Sequence, residues 1–199
     1  MTPQGDTRTR ARDEFARLLT ERGYLGVSLE EIATTVNVKK ASLYHHFPGG
    51  KTALFTTVAH HYIQQTSTAL RTALNTGDTL HDHLLALADA HAQGTFNSTL
   101  GNRVYDATRH MDDTTRADIC HAYQQALIAP VTDLMKHAIE TGQLRQADPG
   151  FLATAFMELA AAALPPQERP TPCRQRPQDV VDLFLHGAAP HHPERRKTR

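Results

Sequence analysis

Residues 37–51 read NVKKASLYHHFPGGK, with two lysines, a tyrosine, two histidines and a glycine pair in fifteen positions. Such a mixture suits an enzyme interior, a metal site or a surface laid against a polyanion. Helical geometry sorts these. At 100° per residue, Leu43 and Phe47 point within about 40° of each other. Ala41 and His45 point the opposite way, flanked by Ser42 and Tyr44. A helix over about 39–47 therefore has an apolar inner side and an outer side of small, hydroxyl, imidazole and phenol groups. Pro48, Gly49 and Gly50 end it.

Working outward, Ser28 with Glu31 three residues on is a capping box that opens onto Leu29, Ile32, Ala33 and Val36. This helix is about two turns long, and Asn37 tolerates the left-handed backbone of a tight turn after it. Ala11, Phe15, Leu18 and Leu19 mark a first helix over about 7–22, with Gly23 as its C-cap. Two short helices joined by a tight turn and braced by a longer one make a helix-turn-helix, whose second member enters the DNA major groove. In that setting Ala41 and Ser42 permit close approach, and Tyr44 and His45 supply donors for phosphates or base edges. Lys39 and Lys40 lie beside the phosphates. Ser28 marks a helix end whose N–H groups can hold a phosphate, and Lys51 reaches the backbone from the other side. His45 and His46 diverge by about 100° on a helix and are poorly placed to chelate one ion.

The chain has 199 residues, 40% of them apolar, which supports one or two domains with a substantial core. No apolar run reaches the length of a membrane span, and the polar N-terminus lacks the core of a signal peptide. With Cys120 and Cys173 as its two thiols, the chain reads as a reduced, cytoplasmic protein. The formal charge of zero hides an asymmetry. Residues 1–51 hold eight Lys/Arg against six Asp/Glu, and residues 52–194 hold nine against fifteen. The last five residues, RRKTR, restore the balance. A basic head on an acidic body implies that the head meets the polyanion.

Over about residues 8–58 the sequence resembles the N-terminal domain of TetR/AcrR-family transcriptional regulators. The segments that carry the resemblance are ERGYLGVSLEEIATTVNV, ASLYHHF and GGKTALF. It implies an all-α dimer with three DNA-binding helices and a variable C-terminal domain for ligand and partner. It also implies DNA-facing roles for Ser28, Lys40, Ala41, Tyr44, His45, His46 and Lys51. The chain departs from the family pattern at Asn37, where glycine is usual, and at Lys39, where serine is usual. Lys39 gives up a helix cap and adds a charge near phosphate.

Beyond residue 60 helical periodicity continues, with no internal repeat. The expected helices run over 51–75, 79–93, 98–110, 112–140 with a kink at Pro130, 149–164, and from Pro177 onward. With the three of the head they make about nine, and a proline-rich loop is expected over 165–177. The expected organisation is a helix-turn-helix domain over 1–50, a helical effector-binding and dimerisation domain over 51–187, and a disordered basic tail over 188–199. The helix at 149–164 is apolar almost all round, which calls for cover on every side. Paired with the last helix across a two-fold axis, it would form a four-helix bundle and a homodimer. The family's inducer pocket lies among the middle helices, so Tyr62, His91, Phe96, Tyr105 and His121 are candidate lining residues.

No G-x-S-x-G, P-loop, dinucleotide fingerprint, H-E-x-x-H or paired CxxC occurs, so no catalytic residue, metal ligand or cofactor is expected. The expected function is a ligand-responsive DNA-binding repressor that reads a near-palindromic operator as a dimer and is released by a small molecule. The alternative is a helical small-molecule-binding protein or enzyme whose helix-turn-helix is only structural.

Overall fold

A computed structural model describes residues 4–161 and 176–188. Every regular element among the described residues is helical, with no strand. The expected tail from 189 on, most of the expected proline-rich loop with Cys173, and residues 162–164 of the expected apolar helix lie outside them. The helices are α1 (Gln4–Arg22), α2 (Leu29–Thr35), α3 (Lys40–His46), α4 (Gly50–Leu74), α5 (Leu80–Ala92), α6 (Ser98–Thr108), α7 (Asp113–Tyr123), α8 (Ala129–Glu140), α9 (Pro149–Ala161) and α10 (Pro177–Ala188). A π turn, Gln124–Ile128, follows α7 and leads into α8 without a break in helical sequence, so the described residues make nine continuous helical runs. Pro130 explains the π turn. It has no N–H to give to the preceding turn, and widening the helix by one residue just before it absorbs the mismatch.

The chain divides into two compact units, one of residues up to Ser67 with Asn97–Gln124, the other of Thr68–Phe96 with the residues from Gln125 on. In the first unit α1 packs on α2, α3 and α6. Ala11, Phe15, Leu18 and Leu19 of α1 are buried, as are Ile32, Ala33 and Val36, Leu43 and Phe47, and Leu54, Phe55 and Val58. Gly23 ends α1 at φ 71°, and its N–H donates to the Leu19 carbonyl at 2.9 Å. Ser28 caps α2, its Oγ accepting from the N–H groups of Glu30 and Glu31 at 3.2 and 3.3 Å. Only this half of the expected capping box forms. The Glu31 carboxylate accepts from the Arg22 guanidinium at 2.8 Å, since an ionised donor outcompetes a neutral backbone N–H.

Gly101 of α6 makes a close approach within this unit. A Cβ there would lie 2.3 Å from the Tyr62 hydroxyl oxygen. Gly101→Ala is therefore expected to destabilise the protein by about 1–3 kcal/mol through overpacking. Adding Tyr62→Phe, which removes the offending oxygen, should recover part of that loss in urea melts.

In the second unit α5 packs on α9 and α10, and α9 on α8 and α10. Phe156 and Phe184 meet edge-on at 5.1 Å in a core that includes Leu84, Leu87, Met135 and Val181. The Asp148 carboxylate caps α9, accepting from the Phe151 N–H at 2.7 Å. Among the described residues, α9 is buried on one side. Leu152, Ala153, Phe156 and Ala160 are inside, while Phe151 is 60% exposed, as is Leu183 of α10 at 63%.

Candidate nucleic-acid interface

The turn between α2 and α3 is held from both ends. Asn37 takes φ 54°, Val38 donates to the Ala33 carbonyl at 2.9 Å, and Arg10 of α1 donates to the Val36 carbonyl at 2.6 Å. Arg8 lies over the Phe47 ring at 5.5 Å, covering the far end of α3. With Leu43 and Phe47 buried against this frame, Lys39, Lys40, Ala41, Tyr44 and His45 are exposed, and Ser42 and His46 are half-buried. Tyr44 is 49% exposed. The Lys40 ammonium is 3.8 Å from the Glu30 carboxylate, an open pair that holds little energy and leaves the charge free to turn to another anion.

Gly49 and Gly50, at φ 106° and 66°, swing the chain from α3 into α4. A Cβ on Gly50 would lie 3.1 Å from the Tyr44 ring, so the glycine also lets that ring rest against the backbone. Lys51 is half-buried, and its ammonium lies 4.3 Å from the centre of the Tyr24 ring. Partial burial holds its pKa below the usual lysine value.

Lys39 is the N-cap of α3 and makes no side-chain cap bond. Lys39→Ser is expected to stabilise the fold by about 1 kcal/mol by supplying that cap. The same change removes a positive charge, so the salt slope of DNA binding should become shallower by about 0.9 if Lys39 meets a phosphate. Thermal melts and salt titrations read the two effects separately.

The five residues expected to line an effector site divide by environment. His91 is 6% exposed, meets Phe96 edge-on at 4.7 Å, and has no partner for either ring nitrogen. Burial lowers its pKa to about 4, so the ring is neutral at pH 7. Tyr62 is buried in the first unit, its phenol pushed up to about 12 by burial and then by Tyr123. Tyr105 is 73% exposed, because the buried stripe of α6 runs through Leu100, Val104 and Ala107 and leaves Tyr105 on the opposite side. His121 is also exposed. Both face outward among the described residues. No group of three or more metal-binding side chains comes together among the described residues, and no helix of theirs is long and apolar enough to cross a membrane.

Sequence reasoning missed Tyr24 and Arg10. Tyr24 follows a helix-ending glycine, where no periodicity marks it, and Arg10 is exposed and looks like any solvated arginine until the Val36 carbonyl is found in its reach.

An exposed, basic, seven-residue helix set by a tight turn against two others defines a helix-turn-helix protein of all-α fold. Residues 13–58 match the model of the bacterial regulatory proteins of the tetR family. A stretch of 39 residues is 51% identical to IcaR, the HTH-type negative transcriptional regulator of the biofilm operon icaADBC in Staphylococcus aureus. That stretch is 20% of this chain and spans only 21% of IcaR. Among solved structures, the TetR-family transcriptional regulator PfmR from Thermus thermophilus superposes with a TM-score of 0.69 at 23% identity, over 89% of this chain and 97% of that one. AibR in complex with isovaleryl coenzyme A and operator DNA does so with a TM-score of 0.70 at 19% identity, over 92% of this chain and 97% of that one. The N-terminal segment is a TetR-family helix-turn-helix domain, carried on a chain with the fold seen in those two regulators.

Proposed function

We propose that this chain is a ligand-responsive DNA-binding transcriptional regulator. It acts as a repressor that grips a near-palindromic operator as a homodimer and lets go when a small molecule binds. The observation that carries this reading is the outer side of α3, where Lys39, Lys40, Ala41, Tyr44 and His45 are all exposed. Ser42, His46, Lys51 and the capped N-terminus at Ser28 complete the DNA-facing set. Small residues that admit the helix, flanked by cations and hydrogen-bond donors, match what a major groove presents. IcaR, a negative regulator, and AibR, solved with operator DNA and a coenzyme A thioester, support the same reading.

On this reading residues 1–50 read DNA, and residues 51–187 bind effector and partner in the cytoplasm. The exposed Phe151 and Leu183 favour a dimer through α9 and α10, as apolar side chains that a second copy would cover. His91, with Phe96 against it, is the favoured effector contact, since two unpaired buried nitrogens call for a polar partner. The effector releases DNA only by binding the non-reading conformation better than the reading one.

The test is a gel shift with the DNA upstream of the chain's own coding region, for the wild type and for Tyr44→Ala combined with Lys51→Ala. A shift that the double variant loses, with its circular dichroism unchanged, supports the regulator. Equal binding by both, or none by either, favours a helical binding protein or enzyme whose head is structural. Light scattering at micromolar concentration should give the mass of two chains.

A further inference from the structure

Tyr24 lies in the connection between α1 and α2, yet its ring is fixed from three sides. Phe55 of α4 meets it edge-on at 5.4 Å. The His110 imidazole, two residues past the end of α6, lies nearly parallel to it at 5.7 Å and 13°. The Lys51 ammonium sits over the ring at 4.3 Å. α6 is itself anchored to α1, where Arg103 Nε donates to the Thr20 carbonyl at 3.2 Å. One aromatic ring thus links the first turn of α4, where a DNA-facing lysine stands, to the end of α6.

We propose that Tyr24 is a positioning residue for Lys51. Its ring holds the ammonium where a DNA phosphate can meet it, and His110 makes that hold depend on where the end of α6 lies. The proposal rests on the DNA-binding reading above. A lysine side chain has many rotamers, and choosing one before DNA arrives removes part of the ordering cost from the binding step. The face of a phenol attracts a cation without neutralising it, so the ammonium keeps its full charge for the phosphate. A carboxylate partner in the same place would compete with DNA; an aromatic ring does not.

The experiment uses the full chain and a random-sequence duplex of about 30 base pairs, because phosphate contacts do not depend on sequence. Fluorescence anisotropy over a range of salt concentrations gives affinity and salt slope for Tyr24→Phe, Tyr24→Leu, Lys51→Met and the combination of the last two. Tyr24→Phe, which keeps the ring, should bind within about twofold of the wild type. Tyr24→Leu should weaken binding up to about tenfold and make the salt slope shallower, by at most about the 0.9 of one lost phosphate contact. In the Lys51→Met background Tyr24→Leu should do nothing further.

Equal losses from Tyr24→Leu in both backgrounds would overturn the proposal and leave Tyr24 a packing residue. Tighter binding by Tyr24→Leu would overturn it too, since the ring would then hold the ammonium back. If Tyr24→Leu fails to fold, His110→Ala read in the wild-type and Lys51→Met backgrounds closes the same cycle, with His110→Phe as the variant that keeps the stacking. Absence of binding by the wild type even at low salt would instead remove the DNA-binding reading itself.

Discussion

Ala41→Glu is expected to remove DNA binding, by about 100-fold or more, while the protein becomes slightly more stable. Ala41 is exposed one residue into α3, between Lys40 and Ser42. On the bound side, a carboxylate there would be pressed toward phosphates and base edges, and juxtaposed like charges cost several kcal/mol at an interface. On the folding side, an acidic residue in the first turn of a helix gains roughly 0.5 kcal/mol from the helix dipole. α3 has no acid in that turn. The two readouts therefore move in opposite directions, which separates a lost surface from a lost fold. Anisotropy with duplex DNA and a thermal melt of the same sample suffice. A variant that binds DNA as the wild type does would mean that the outer side of α3 does not enter the groove.

The second large effect comes from acid. Burial lowers the His91 pKa to about 4, against about 6.5 for an unfolded histidine. Between those values the unfolded chain binds a proton that the folded chain refuses, so stability falls as pH falls. His91's contribution is fully present above about 6.5 and lost by about 4, amounting to roughly 3 kcal/mol at about 1.4 kcal/mol per pH unit. Half-buried His61, whose pKa is lowered by burial and by Arg12, adds to the same trend. Urea melts of the wild type and His91→Leu at neutral and acid pH isolate the His91 part. The variant should lose much less stability on acidification and, being freed of two unpaired nitrogens, should be no less stable at neutral pH. Parallel pH profiles would show that His91 takes up its proton in the folded state, through a bound water or another partner.

Sequence alone located the helices well because punctuation and periodicity coincide here. Gly23, Asn37 and the Gly49–Gly50 pair all stand at left-handed positions that end or join helices. Asp148 and Pro149 open α9 as expected. The inner side of α3 could be read because Leu43 and Phe47 are one turn apart and the residues between them are polar or small. The π turn was not legible, since the missing N–H of Pro130 implies a disturbance without stating its form. Glu31 was assigned to a capping box from its spacing, and a contact nine residues away claimed it instead. The side chains named for an effector site show the same dependence on packing. Tyr105 and His91 look alike as isolated aromatic residues, and only the packing of their helices sends one out to solvent and the other inside.

The bare Cα of Gly50 beneath Tyr44 bears on how the head would respond to a push. The Tyr44 ring and the Leu29 side chain both approach the first residue of α4 at that bare Cα, so α2 and α3 meet the start of α4 at one point. A shift of the start of α4 would therefore be felt first at Tyr44, on the exposed side of α3. On the DNA-binding reading proposed above, the group that meets such a shift first stands on the groove-facing side itself.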